Sequence, residues 1–166
     1  MKTMTEKNEK ILKIIHITSM SIWFTSLIIM FVINLLISKI TSSDVFYYAH
    51  YINSIIDFQI LTPAAIVTFV TGIIYGRFTK WNIKNNTWLK IKIVITVSII
   101  ILGTFWLGPT LREMTENSKS IGVDLLSDKN YLSNLSTIIW FSAINILMLF
   151  IAIIISTIKP GSSNND

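Results

Sequence analysis

Four long apolar stretches, separated by short charged connectors, constrain this chain more than any motif in it. Residues 14–38, 55–76, 93–111 and 135–158 carry almost no charge. At 1.5 Å rise per residue, each is long enough to cross a hydrocarbon core of roughly 30 Å. Lipid gives the backbone nothing to bond with, so such segments are expected to be helices. The expected fold class is all-α, an integral membrane four-helix up-down bundle. Charged residues make up 14% of the chain, where a soluble domain carries about 25%. That deficit supports the same reading independently.

The 166 residues leave room for one membrane domain, 14–159, between a lysine-rich tail at 1–13 and a polar tail at 160–166. The N-terminal lysines would suit a signal peptide. The apolar run behind them, however, far exceeds the ~7–15 residues of an h-region, and no small-x-small cleavage site follows. A retained first span is expected, with the tail disordered at its start and helical towards Ile11.

The net charge of +5 is no nucleic-acid signature, because the lysines flank the spans instead of sharing a face. The lipid bilayer is the expected partner. The N-terminal tail carries four Lys or Arg, the 77–92 connector five and the C-terminal tail one; the 39–54 and 110–134 connectors carry one and three. This positive-inside bias places both termini in the cytoplasm of a bacterial cell.

No cysteine is present. Disulfides, thiolate metal sites, iron–sulfur clusters and CxxCH haem attachment are thereby excluded. Phosphate-cradling, HExxH and GxSxG motifs are also missing. Nothing in the motifs decides between enzyme, transporter and accessory protein.

Several local features carry structural expectations. Thr41-Ser42-Ser43-Asp44 is N-cap chemistry, so span two is expected to start early, near Val45, as an interfacial helix. Pro63 is expected to kink it. The 77–92 connector is basic and Trp-bearing, with Arg77, Lys80, Trp81, Lys84, Trp88, Lys90 and Lys92. Gly108-Pro109 is expected to end span three. A surface helix through Leu111 and Met114 then precedes span four, which begins after Asn134. Thr68-x-x-x-Gly72 reads as a small-residue contact face, Gly103 as a second close approach, and Asn34 and Asn145 as interhelical hydrogen-bonding amides.

The candidate chemistry rests on few residues. His16, Ser19, Trp23, Ser26, Met30 and Asn34 recur at three or four, which lines them along one helix face turned to the bundle interior. The stripe serves either as a packing seam or as a cofactor-facing surface with His16 as ligand or proton carrier. Lys90 and Lys92 stand at the same depth as His16, as positive-inside anchors beside Trp88 or as partners for anionic groups. His50, Ser54 and Asp57 share a second face, as a polar interfacial cluster or an external proton or ion site. The topology sets His16 and His50 on opposite sides of the membrane, so no two-histidine metal or haem site is expected within one copy.

The opening Leu12-Lys13-Ile14-Ile15-His16-Ile17 with Trp23 resembles a K-x-x-H…W pattern shared by three bacterial membrane families. These are the copper-resistance D-type membrane proteins, the haem-associated membrane protoporphyrinogen oxidases, and an uncharacterised family of predicted integral membrane proteins. Asp57…Pro63…Thr71-Gly72, Trp88-Leu89-Lys90-Ile91-Lys92 and Gly103…Pro109 most resemble the last family. Resemblance to the oxidases implies haem held near His16, with Lys90 or Lys92 also needed. Span three has Gly103-Thr104-Phe105 where those oxidases carry a histidine, and the external methionine-rich motifs of the copper family are missing.

Three functions are expected to compete. The first is a haem- or porphyrin-associated redox protein, with haem as the candidate cofactor in a cytoplasmic-end pocket of His16, Trp23 and Lys90. The second is a small transporter or transport accessory for protons, metal ions or solutes, working as a homo-dimer with Asp57 as the coupling group. The third is a non-catalytic partner within a membrane complex.

Overall fold

The computed structural model describes residues 4–78 and 86–160. Helix α1 covers Glu6–Leu36 and ends in a 3-10 turn, Ile37–Lys39; α2 covers Ser43–Ile55 and α3 covers Thr62–Phe78, joined by a π turn, Ile56–Leu61. Helix α4 covers Thr87–Leu102 and α5 covers Gly108–Ile121, joined by a second π turn, Gly103–Leu107. A 3-10 turn, Gly122–Ser127, leads to α6, Lys129–Ile158. These join into four rods, Glu6–Lys39, Ser43–Phe78, Thr87–Ser127 and Lys129–Ile158, each long and apolar enough to cross a membrane. The architecture is an all-α four-helix membrane bundle.

The rods extend beyond the apolar stretches because polar residues cap them well outside. Thr5 accepts from Asn8 N at 3.4 Å, so α1 is helical from Glu6, earlier than the expected start near Ile11. Asp128 accepts from Asn130 N at 2.6 Å, which starts α6 more than a turn before Asn134. Gly108-Pro109 does not end the third rod. A proline inside a helix removes one backbone bond and clashes with the preceding turn, and here a π turn ends at Leu107, two residues before Pro109. The second rod uses the same device ahead of Pro63. The surface helix anticipated through Leu111 and Met114 is therefore α5, continuous with the third rod, and both residues are buried. Of the basic connector, Lys80, Trp81 and Lys84 lie outside the described residues, as do 161–166 of the C-terminal tail.

Helix α1 packs chiefly on α3 and α6, and α6 on α4, while the second and third rods meet mainly through α2 and α5. Rods of 30–41 residues outreach a ~30 Å hydrocarbon layer. At the end opposite the termini, α2, α5, the Gly122–Ser127 turn and the start of α6 form a cap. Its core contains Ile37, Phe46, Met114, Leu125 and Tyr131. Gly122 closes the cap at φ 71°, where a Cβ would run into the Ser43 side chain, and Ser43 Oγ accepts from Val123 N at 3.3 Å. Further down, Trp23, Leu27, Ala65, Ile99 and Leu149 form a second core. Large apolar residues such as Phe105, Val94, Trp140 and Ile158 are exposed around the bundle, as a lipid-facing surface requires.

Candidate functional site

At the end carrying both termini, α3 and α4 touch little, and the four rods line an open cavity of about 440 Å³. Lys13 of α1 and Lys159 beyond α6 both border it, so the two chain ends share one side of the bundle. His16 projects here from the inward stripe of α1, which buries Ser19, Trp23, Ser26, Met30 and Asn34.

The orientation of His16 follows from counting protons. Thr71 Oγ1 lies 2.6 Å from Val67 O and 3.1 Å from Thr68 O, so its single proton goes to the main chain. His16 Nδ1, 2.9 Å from that oxygen, must then be the donor, and the neutral ring carries its lone pair on Nε2. Lys92 Nζ stands 3.5 Å from Nε2 and donates to Ser156 Oγ at 3.0 Å. Gly72 permits the arrangement by having no side chain against the imidazole. The expected Thr68-x-x-x-Gly72 contact face is therefore used against α1, with Thr68 Oγ1 also 2.9 Å from Ser19 Oγ.

The structure divides the anticipated cytoplasmic-end pocket. His16 and Lys92 meet. Lys90 is exposed and does not border the cavity, because two residues along a helix is a rotation of about 200°. Trp23 is almost fully buried but lines a different cavity, nearer the cap.

The anticipated outer group is also divided. His50 is fully buried in the cap, with Nε2 3.0 Å from the Tyr131 hydroxyl and its ring edge-on to Phe46. Ser54 Oγ lies 2.8 Å from Thr115 Oγ1, which itself lies 3.3 Å from the His50 carbonyl. Asp57 belongs elsewhere: it sits in the π turn and borders the cavity that Trp23 lines. Gly103, expected as a close approach, has nothing within 4 Å of where a Cβ would stand. Gly108 is the close one, its Cβ position being 3.6 Å from Asp57 Oδ2. Asn34 does bond a neighbouring helix, accepting from Asn53 Nδ2 at 2.9 Å.

The model of a family described as predicted integral membrane protein (DUF2269) matches residues 10–160, which reaches all four rods. The chain belongs to that family. No curated protein and no solved structure matches it.

In this DUF2269 member, sequence reasoning reached His16 and Lys92 through their equal depth, but missed Thr71, Ser156 and Tyr131. Thr71 lies 55 positions from His16, and Tyr131 81 from His50. A hydroxyl in an apolar run carries no local mark of such a partner. The Thr68…Gly72 spacing was the nearest signal, since it identified the face of α3 that meets α1.

Proposed function

We propose that this DUF2269 protein holds a haem or related porphyrin in the cavity at its terminal end, that end facing the cytoplasm of a bacterial cell. The observation that carries the reading is the His16 imidazole, its Nδ1 proton engaged by Thr71 and its Nε2 lone pair turned towards Lys92. A histidine whose far nitrogen is fixed by a hydrogen bond is the usual arrangement of a metal-ligating imidazole. The cavity volume lies within the ~300–1,000 Å³ of small-molecule sites, and such sites pair apolar walls with a few placed polar groups. His16 would hold the iron once Lys92 moves off Nε2, which it now faces at 3.5 Å, and Lys13 and Lys92 would take the porphyrin carboxylates. A bound haem supplies one-electron redox chemistry. His50 is engaged with Tyr131 in the cap core, so the site has one imidazole and no second.

The test is the optical spectrum of protein purified in mild detergent from haem-replete cells. A Soret band that is lost in His16→Ala and weakened in Lys92→Ala supports the reading. A colourless preparation, or a band indifferent to His16→Ala, removes it.

A further inference from the structure

A second cavity, about 240 Å³, lies between the terminal-end cavity and the cap. Trp23, Leu27 and Ile99 make apolar walls, and Asp57 and Asn145 border it from opposite rods. Two independent observations mark it as more than a packing gap. No hydrogen bond among the described residues reaches the Asp57 carboxylate. Asn145 is 2% exposed, and its Oδ1 has no partner. A buried acceptor left unmet, as at Asn145, is costly, and Asp57, though half-buried, is a carboxylate inside a membrane segment and so a functional candidate by default.

The backbone around the carboxylate is built for access. Asp57 stands in the π turn of the second rod, and Gly108 immediately follows the π turn of the third. Gly108 offers only backbone to the carboxylate, at a Cβ position 3.6 Å from Oδ2. Turns of this kind occur often at functional sites. Arg112 of α5 is the charged group that acts on Asp57, and its guanidinium lies 5.3 Å over the Phe58 ring.

The lining selects the ligand class. The Asp57 carboxylate can only accept, so the ligand must donate to it. A calcium-like cation would need six to eight oxygens, and no group of three His, Cys, Asp or Glu gathers among the described residues. An alkylammonium ion needs few acceptors and has carbon to cover, and an indole face suits a cation. We propose that this cavity binds a small organic ammonium ion, with Asp57 accepting its N–H protons and Trp23 and the aliphatic walls enclosing its carbon. The site is separate from the one His16 forms and does not depend on it.

The test uses the full chain in detergent, with butylammonium chloride as probe and 1-pentanol and sodium chloride as controls. Butylammonium is expected to raise the unfolding temperature saturably, at concentrations where neither control does. Asp57→Asn is expected to weaken the effect at least tenfold. Gly103→Leu keeps Asp57 intact and fills the cavity from a position with open space around it, and it is expected to abolish the effect while the variant stays folded. Equal shifts from pentanol or sodium, no saturable shift, or an unchanged shift in Gly103→Leu would each overturn the proposal. If Asp57→Asn does not fold, the Gly103→Leu result decides alone.

Discussion

Gly72 of α3 lies directly against the imidazole of His16 on α1: a Cβ built there would stand 3.3 Å from Cε1 and 3.8 Å from Nδ1. The packing of α3 on α1 and the ring that faces the cavity thus meet in one contact. Its tightness makes the position of the ring sensitive to any atom added on α3.

Gly72→Ala gains about 1 kcal/mol of helix propensity and loses a comparable amount to crowding, since overpacking costs about 1–3 kcal/mol. Its unfolding temperature in detergent is therefore expected to stay close to that of the parent. Gly72→Val adds two more carbons against the ring and is expected to lose about 2 kcal/mol. Both should weaken the binding of haem added to the purified protein, Val more than Ala. Unchanged haem binding in Gly72→Val would mean that the ring is not held where the contact places it.

Thr71→Val keeps the shape of the side chain and removes the oxygen that accepts from His16 Nδ1. Loss of such an orienting partner typically costs 10–100-fold in ligand affinity, and that range is expected in a haem titration. Thr71→Ser restores the oxygen and is expected to recover most of the loss. Equal weakening in both variants would assign the effect to packing instead of the hydrogen bond.

Tyr131→Phe leaves His50 Nε2 without its hydroxyl partner in the core of the cap, where Nδ1 already has none. An unmet buried polar group costs about 1–3 kcal/mol, so the unfolding temperature is expected to fall measurably. Haem binding at the far end of the bundle should not change. A stability equal to the parent's would show that water replaces the phenol.

The contrast between His16 and His50 shows what the sequence could carry. Membrane crossing rests on composition, because lipid leaves the backbone one solution over 20 apolar residues, and all four spans were legible on that ground. Rod ends were not, since Thr5 and Asp128 act through single capping bonds outside the apolar windows. The expected His50–Ser54–Asp57 face assumed an uninterrupted 3.6-residue period. The π turn at Ile56–Leu61 breaks that period just where Asp57 stands. Pro63 signalled a disturbance there, but not that it would take the form of a wider turn.

Orientation offers a test that needs no ligand. The chain has no cysteine, so each engineered one reports alone. Lys7 and Pro160 are exposed at the terminal end, and Lys119 is exposed on α5 in the cap. The excess of Lys and Arg at the terminal end predicts that this end faces the cytoplasm. Lys119→Cys is then expected to react with a membrane-impermeant maleimide in intact cells, and Lys7→Cys and Pro160→Cys only after permeabilisation. Full inversion of the pattern would refute the charge argument while leaving the bundle intact. Labelling of Lys7→Cys and Pro160→Cys from opposite sides would refute the bundle itself, because Lys13 and Lys159 could not then border one cavity.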